Sequence, residues 1–409
     1  MRTAGRERGR RESDRRTFLV RTGLASFGDN MMAPYIGVYA VQMRATPAEM
    51  GWLSSLQNLS GNTMQFPWGT AMDRIGRPVL FVLLGGFIGG MLWLPLLFVS
   101  TPEQIIMIVF LQGLFMSMAG PSSLVVNDDL LPRSKRTQAV AEFHSAWMIG
   151  TIPAILLSGY LMSQTKDSLK AMYFTPIIMA AVFRAGSALL LWSMMTRERH
   201  EAARSNNRVS DNIGTIMQNP SLRIMYSISF FQGFFMSFAW PLFPIANVII
   251  TKNNMFYIAL LSATSTIVSS LTRPYFGKLA DRFGKRPIIM LGWAGMAIFP
   301  LSYVFATEPW HLLIANAFVG LFMMADSITQ AYIIENSQPE WLGTSLSFYG
   351  VLYGIATFFG SLAGGYLVNS LLILGFKQAN ALAIGFLFST AGRAVSGLAY
   401  GKLRETRKP

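Results

Sequence analysis

Residues 277–287 read GKLADRFGKRP, and residues 69–78 read GTAMDRIGRP. Both segments contain one aspartate, two arginines and two glycines, and each lies between two long apolar stretches. Charged side chains are costly in hydrocarbon, so short charged segments between apolar stretches are typical of tight connections between membrane helices. Their occurrence at corresponding places in the two halves of the chain predicts a duplicated polytopic membrane protein.

The composition also indicates a membrane protein. Of 409 residues, 52% are hydrophobic and 13% are charged, whereas soluble domains carry about 25% charged residues. Residues 79–99 and 341–376 contain no Asp, Glu, Lys, Arg or His. A helix of about 20 apolar residues matches the hydrocarbon thickness, and lipid cannot satisfy free backbone groups. We therefore expect an all-α polytopic membrane protein.

The net charge of +14 raises the question of a nucleic-acid partner. The basic residues are concentrated in short loops and tails, as are the charges that orient membrane helices. An anionic lipid surface is therefore the expected partner, and nucleic acid is not. The chain contains no cysteine, which excludes disulfides, thiol chemistry and cysteine-ligated metals.

The apolar segments predict twelve membrane spans in two six-helix halves, residues 17–195 and 221–401. A basic cytoplasmic tail at 1–16, expected to be disordered, precedes them, a polar linker at 196–220 joins them, and a basic tail at 402–409 follows. The predicted spans, numbered one to twelve, are 17–41, 48–69, 78–99, 104–127, 137–162, 171–195, 221–250, 254–277, 287–306, 309–335, 340–370 and 379–401.

Arginine and lysine lie mostly on one side of this arrangement. Both tails, the linker and the two charged segments are basic, whereas the connections on the other side carry few basic residues. By the positive-inside rule, both termini are expected in the cytoplasm and the protein in a cell (plasma or inner) membrane.

Four further landmarks recur in the two halves. They are Pro34 and Pro241, Gly-Leu-Phe-Met at 113–116 and 320–323, Gly-Tyr-Leu at 159–161 and 365–367, and Arg184 and Arg393. Their offsets lie between 206 and 209 positions, which is hard to obtain by chance. Parallel repeats of six helices are a known plan of secondary transporters.

These features together resemble the major facilitator superfamily. The resemblance rests on the charged segments after spans two and eight, the six-plus-six arrangement and the basic linker, and it covers about residues 17–401. The first charged segment departs from the family pattern, since it is one residue shorter and has Met72 where alanine is usual. The resemblance implies a monomeric secondary transporter of small molecules that works by alternating access, is not an enzyme and needs no cofactor.

The resemblance also implies that the charged segments form a cytoplasmic latch. Asp73 is expected to face the start of span eleven and Asp281 the start of span five, where helix N-termini are positive. Arg77 and Arg286 can then pair with acids that end spans four and ten. The alternative is that these charges only set the topology. The acids are Asp128, Asp129 and Glu335, and the latch residues are Gly69, Asp73, Arg74, Gly76, Arg77, Gly277, Asp281, Arg282, Gly284 and Arg286.

Two acids lie in spans that line the central cavity of this family, Asp29 on span one and Asp326 on span ten. A charge in the bilayer centre costs about 2.5–3.5 kcal/mol on insertion scales, so it needs a partner, a wet cavity or a proton. Asp29, beside Asn30, is the first candidate for a proton-binding or cation-binding carboxylate, and the alternative is helix packing against hydroxyls or Arg21. Asp326 is either a second cavity site or the ion-pair partner of Arg393.

Other polar residues have two interpretations each. Glu142 and His144, near the cytoplasmic end of span five, form either a proton relay or an interfacial pair that reaches water. Gln112, Gln232 and Gln330 either bind a ligand or join helices by hydrogen bonds.

The chain has no phosphate-binding loop for ATP, no metal-binding pattern and no catalytic cluster. Aromatic residues in span seven favour a hydrophobic or amphiphilic substrate, although they can equally face lipid. The leading hypothesis is proton-coupled export, although span five lacks the Gly-Pro-x-x-Gly-Gly signature of many drug exporters. The alternatives are a proton-coupled importer or uniporter of sugars or organic acids, supported by the amides of span two, and a non-transporting receptor or scaffold.

Overall fold

The computed structural model describes residues 2–130, 136–165, 168–196, 214, 216–338 and 341–405. Several helical side chains lie outside this description, including those of Asp73, Asp128 and Asp129. All regular secondary structure in the described part of the chain is helical. Ten helical segments there are long and apolar enough to cross a membrane. Spans one and two are not among these ten, because the helix of span one carries many charges at its start and span two is divided into two shorter helices. Together with them, the number of spans is the predicted twelve.

The helices follow the predicted spans closely. In the first half they are Arg2–Met32 and Ile36–Gln42 (span one), Pro47–Thr63 and Gln65–Ile75 (two), Pro78–Met91 (three), Pro102–Asp129 (four), Arg136–Gln164 (five), and Leu169–Leu189 and Trp192–Met195 (six). In the second half they are Pro220–Phe238 and Leu242–Ile250 (seven), Met255–Phe283 (eight), Lys285–Gly295 and Ile298–Phe305 (nine), Pro309–Phe322 and Met324–Asn336 (ten), Leu342–Ile373 (eleven), and Gln378–Ala399 (twelve).

Spans one and seven are interrupted at the two matching prolines. Pro34 lies in the short 3-10 turn Ala33–Tyr35, and Pro241 directly precedes the helix Leu242–Ile250. Proline lacks an N–H group and its ring clashes with the carbonyl group four residues earlier. The repeated proline therefore produces the same interruption in both halves.

The amino-terminal tail differs from expectation. The sequence predicts disorder in residues 1–16, but the helix of span one begins at Arg2 and continues to Met32. The basic residues of the tail therefore extend the span-one helix beyond the apolar segment.

Helix starts follow local rules. Proline occupies an early position in the helices that begin spans two, three, four, seven and ten, where its missing N–H group costs no hydrogen bond. Side-chain caps begin spans six, seven and eight. Ser168 accepts from the Ala171 N–H group at 3.2 Å, Asn219 from Ser221 at 2.9 Å, and Asn254 from Phe256 at 3.0 Å.

By packing, the chain forms two compact units. The first consists of Met1–Ile36 and Met64–Ser205, and the second of Gly37–Thr63 and Asn206–Pro409. The first helix of span two belongs to the second unit because it packs along span eleven. The division of the chain at the linker into residues 17–195 and 221–401 stays a prediction.

The first unit is held together by close helix contacts at small residues. Span one packs on spans five and six, and span three packs on spans four and six. A Cβ atom added at Gly28 would lie 2.6 Å from the Arg184 backbone nitrogen, and one at Gly90 would lie 2.6 Å from that of Ala185. These glycines let span six approach spans one and three closely.

The second unit uses the same device around span eleven. This span packs on span seven and on the first helix of span two. A Cβ atom at Gly364 would collide with the Phe238 carbonyl oxygen, and one at Gly51 would lie 3.1 Å from the Ser361 carbonyl oxygen. Span eleven therefore has two glycine-dependent contacts in its second half.

Replacing Gly364 with alanine is expected to destabilise the protein by about 1–3 kcal/mol, because the added methyl group overpacks against span seven. Gly350 lies in the same helix and has nothing within 4 Å of an added Cβ atom. Gly350→Ala is expected to be neutral or to stabilise by up to about 1 kcal/mol, since alanine favours the helix. Thermal unfolding in detergent measures both, and equal effects of the two changes would contradict the packing.

Candidate substrate and proton site

Asp29 lies in a buried charge cluster of the first unit. Its Oδ1 atom is 3.3 Å from the Arg184 Nε atom, and both side chains are buried. Arg21 is only 2% exposed, and its Nε and Nη2 atoms have no hydrogen-bond partner in the described part of the chain. Two arginines therefore share one carboxylate, and Asp29 is held in an ion pair with span six.

Asn30 joins spans one and five. Its side-chain amide donates to the Ser26 carbonyl oxygen at 2.9 Å and to the Thr151 hydroxyl at 3.3 Å. The Ser26 hydroxyl in turn lies 2.7 Å from the Thr151 hydroxyl. The Asn30 side-chain amide therefore links spans one and five by hydrogen bonds.

Asp326 has a different environment in the second unit. Its side chain is exposed, and its Oδ2 atom accepts a hydrogen bond of 3.0 Å from Gln330 Nε2, one turn later. Arg273 on span eight and Tyr353 on span eleven both lie within electrostatic range. Asp326 therefore interacts electrostatically with groups of spans eight and eleven within its own unit.

The predicted alternative of an ion pair between Asp326 and Arg393 is wrong. Arg393 is buried, and its guanidinium donates to the carbonyl oxygens of Met296 at 3.1 Å and Met236 at 2.6 Å. Both carbonyl groups lie where a helix is about to be interrupted, in spans nine and seven. Arg393 therefore satisfies main-chain oxygens that the interrupted helices leave without partners.

The two matched arginines contact equivalent places in the two halves. Arg184 pairs with the Asp29 side chain, and Arg393 binds the main-chain oxygen of Met236. Met236 follows Asp29 by 207 positions, which is the offset of the matching prolines. Each arginine thus connects the last span of its half to the first span. Arg184 does so through the Asp29 carboxylate, and Arg393 through the Met236 carbonyl oxygen.

Sequence reasoning missed three residues near Asp326. Arg273 lies within span eight, directly before Pro274, and Tyr349 and Tyr353 lie one turn apart on span eleven. The two tyrosine rings stack with centroids 5.9 Å apart. A search of the spans for basic as well as acidic residues would have found Arg273. Nothing in the sequence singles out the tyrosines.

Two of the predicted glutamines join helices. Gln232 is fully buried, and its Oε1 atom accepts from the Ser396 hydroxyl at 2.5 Å, which joins spans seven and twelve. Gln112 is also buried and donates to the Gly89 carbonyl oxygen at 3.2 Å, which joins spans four and three. Of the predicted amides, Gln330 is the one that the structure places against a predicted acid.

Glu142 pairs with Arg15 of the amino-terminal helix. The Arg15 Nε atom is 3.0 Å from Glu142 Oε2, Nη2 contacts the same oxygen, and Nη1 lies 3.1 Å from Glu12. The pKa of Arg15 is raised, first because of the hydrogen bond with Glu142. His144 is exposed, and its ring meets that of Phe143 edge-on. This geometry favours the interfacial interpretation over a proton relay.

Glu142→Gln is expected to leave transport intact and to lower the free energy of unfolding by no more than about 1 kcal/mol, because the pair is partly exposed. Glu12→Gln removes the other carboxylate that contacts Arg15 and serves as the matched control. Both variants are compared by transport assay and thermal unfolding. Loss of transport in a stable Glu142→Gln protein alone would restore the relay hypothesis.

The charged segments form turns at two of the predicted glycines. Gly76 and Gly284 have φ values of 66° and 92°, a region that side chains disfavour. Arg77 donates to the Met195 carbonyl oxygen at 3.1 Å, and Lys285, next to Arg286, pairs with Glu335 at 2.5 Å. Gly69 and Gly277 have no atom within 4 Å of an added Cβ atom.

Four other latch side chains are exposed: Arg74, Asp281, Arg282 and Arg286. The Arg282 guanidinium also lies over the Phe283 ring. The side chains of Asp73, Asp128 and Asp129 are not among those that the structure describes.

The carboxyl-terminal tail caps the second charged segment. The Glu405 carboxylate accepts from the Lys285 backbone N–H group at 2.8 Å, and the Arg404 carbonyl oxygen accepts from the Tyr332 hydroxyl at 2.9 Å. Leu403 between span twelve and these contacts is 2% exposed. The predicted tail is therefore docked, at least through Glu405.

Comparison with known proteins identifies the family. The model of the Major Facilitator Superfamily matches residues 19–240 and 225–395. The chain belongs to the major facilitator superfamily. It is a multi-pass membrane protein of a family of transporters.

The chain spans about a quarter to a third of the length of two curated relatives that it matches. It is 32% identical over 114 residues to a probable peptide/nitrate transporter of Arabidopsis thaliana, covering 28% of this chain and 24% of that protein. It is 21% identical over 150 residues to the class B tetracycline resistance protein of Escherichia coli, covering 36% and 37%. The crystal structure of a mutant of the nucleoside transporter NupG superposes with a TM-score of 0.78 at 12% identity, covering 95% and 98%. This last likeness shows the fold alone.

Proposed function

We propose that this chain is a monomeric secondary active transporter that exchanges protons for hydrophobic or amphiphilic small molecules and thereby exports them. The observation that carries the proposal is Asp326, an exposed carboxylate in a membrane span whose direct partner is the neutral side chain of Gln330. A carboxylate that is accessible and not locked in a direct ion pair can bind and release a proton in each transport cycle. Both termini lie in the cytoplasm in this scheme.

Contacts of span two with span eleven support the alternating-access part of the proposal. They lie towards the ends of these spans that are remote from the charged segments. The Ser55 hydroxyl donates to the Phe358 carbonyl oxygen at 2.7 Å, and the Trp52 indole donates to the Tyr366 hydroxyl at 3.1 Å. A Cβ atom added at Gly51 would also lie 3.3 Å from the Gly365 Cα atom. Two hydrogen bonds and this contact between glycines make a surface that can separate and re-form, as a gate must.

Asp326 is preferred to Asp29 as the coupling carboxylate. Asp29 is buried, pairs with Arg184 and interacts electrostatically with the buried Arg21, so loss of its charge would leave both cations unpaired in the protein interior. Asp326 has one cation, Arg273, within electrostatic range and no direct ion pair in the described part of the chain. Asp326 is therefore free of the ion-pair role that Asp29 has in packing span one against span six.

The aromatic surroundings of Asp326 favour an amphiphilic substrate. Tyr349 and Tyr353 stack on each other and both interact electrostatically with Asp326. Tyr349 is buried and Tyr353 is half-buried, so Tyr353 is the ring that a molecule with both apolar and polar parts can reach. The partial similarity to a tetracycline resistance protein points in the same direction. Export rather than uptake rests on these two observations.

Everted membrane vesicles with a pH-sensitive dye in the lumen test the proposal. After the lumen is acidified, lipophilic cations, amphiphilic drugs, sugars and organic acids are added one class at a time. We expect proton release on addition of amphiphilic compounds, complete loss of release in Asp326→Asn, and partial retention in Asp326→Glu, which keeps a carboxylate. Release that persists in a correctly inserted Asp326→Asn variant would refute Asp326 as the coupling group. Release with sugars or organic acids alone would refute the substrate class.

A further inference from the structure

Arg21 on span one is a buried cation without a direct partner. Its side chain is 2% exposed. In the described part of the chain, its Nε and Nη2 atoms are buried without a hydrogen-bond partner, and the residue forms no ion pair. Asp29 lies eight residues later on the same helix, which is about 12 Å along the helix axis. That carboxylate pairs with Arg184 instead, so two buried arginines have one negative charge between them.

The guanidinium of Arg21 lies where span three meets span six. A Cβ atom added at Gly86 would be 3.2 Å from the Arg21 Nη2 atom and 3.1 Å from the Ala188 Cβ atom. Gly86 and Ala188 are both buried, so this place is inside the first unit. Because glycine has no side chain, position 86 leaves room beside the guanidinium that any other residue would fill.

The surroundings of this guanidinium are apolar. One turn away on the same three spans, Phe18, Val82 and Leu191 pack in one hydrophobic cluster. Arginine side chains near the end of a membrane helix normally extend to water, but Arg21 is closed off from it. A charge in such an interior needs a counter-charge as well as hydrogen bonds. A water molecule supplies hydrogen bonds but no charge.

We propose that a small inorganic anion, chloride, binds at Arg21 beside Gly86. The ion accepts hydrogen bonds from Nε and Nη2, and its charge balances the second of the two buried arginines. A monatomic ion suits the place better than a carboxylate or a phosphate, whose additional oxygens need donors that apolar neighbours do not offer. Without the ion, Asp29 is the one counter-charge for both arginines in the described part of the chain. The bound ion therefore stabilises the junction of spans one, three and six.

Thermal unfolding of the purified full chain in detergent tests the inference. Chloride is titrated against gluconate at constant ionic strength, which keeps the screening of surface charges unchanged, and bromide is titrated in the same way. We expect the melting temperature to rise with either halide along a saturating curve, by about 5 °C at about 100 times Kd. An unchanged melting temperature would overturn the inference, because water alone would then accompany Arg21.

Substitution of Arg21 locates the effect. Arg21→Met removes the charge and keeps much of the volume, so it should abolish the rise and, without halide, be at least as stable as wild type. The control is Arg393→Met, which removes an equally buried arginine whose guanidinium donates to main-chain oxygens. This control should be less stable than wild type but keep the rise. A full rise in Arg21→Met would overturn the inference.

Anomalous diffraction from bromide-soaked crystals of wild type locates the ion without any substitution. We expect a peak at hydrogen-bond distance from the Nε or Nη2 atom of Arg21. Bromide bound only at other places would overturn the inference, even if the melting temperature responds to halide.

Discussion

A chemical cross-link between cysteines introduced at positions 52 and 366 is expected to stop transport completely. Cleavage of the cross-link is expected to restore transport. The Trp52 indole nitrogen and the Tyr366 hydroxyl lie 3.1 Å apart, near the start of span two and the end of span eleven. The chain contains no cysteine, so cysteines introduced at these two positions are the only thiols. A short bifunctional methanethiosulfonate fills the volume of the two lost rings and joins the helices through bonds that a reductant cleaves.

The physical reason is that this contact opens once in each cycle of the alternating access that we propose. Transport of a preloaded substrate is measured in vesicles before linking, after linking and after reduction. The control variant carries cysteines in place of Phe359 and Tyr366, both exposed on span eleven, so that a link stays within one helix. Unchanged transport by the fully linked variant with cysteines at positions 52 and 366 would show that the contact does not take part in the cycle.

Asp29→Asn is expected to lower the free energy of unfolding by about 3–5 kcal/mol, because it leaves two buried guanidinium groups without a counter-charge. Arg184→Gln should cost less, since Asp29 then keeps Arg21 within electrostatic range. The double variant should be more stable than Asp29→Asn alone, because one uncompensated arginine remains instead of two. Denaturant-induced unfolding in detergent measures all three.

This order of stabilities separates the two predicted interpretations of Asp29. If the Asp29 carboxylate serves in helix packing, the free energy of unfolding decreases in the order wild type, Arg184→Gln, double variant, Asp29→Asn. If Asp29→Asn were as stable as wild type but did not transport, Asp29 would be a functional carboxylate and Asp326 would lose its place in the mechanism.

The spans and their number could be predicted from the sequence, because the hydrocarbon thickness sets the length of an apolar helix. The interruptions could not be predicted from proline alone: Pro34 and Pro241 lie at breaks, whereas Pro153, Pro176 and Pro274 lie inside continuous helices. The partners of intramembrane charges could not be predicted, because they depend on which helix faces which. Arg393 illustrates this, since its partners are main-chain oxygens that have no sequence signature.

The candidate site was predicted in part. Asp326 and Gln330 were both named, and their spacing of one helical turn brings them together. Gln232 and Gln112 are also polar residues in membrane spans, which makes them candidates from the sequence. In the structure they form hydrogen bonds with neighbouring helices instead, Gln232 with the Ser396 hydroxyl and Gln112 with the Gly89 carbonyl oxygen. An amide in a span is equally suited to either role, so composition alone does not separate them.

Accessibility of a single cysteine at position 330 from each side of the membrane tests alternating access most directly. Gln330→Cys is treated with a membrane-impermeant thiol reagent in right-side-out and in everted vesicles. Lys377→Cys, between spans eleven and twelve, and Lys402→Cys, after span twelve, serve as controls that should react only from the outside and only from the cytoplasmic side. We predict that Gln330→Cys reacts from both sides. Reaction from one side only, with both controls behaving as expected, would contradict a transporter that exposes one site alternately.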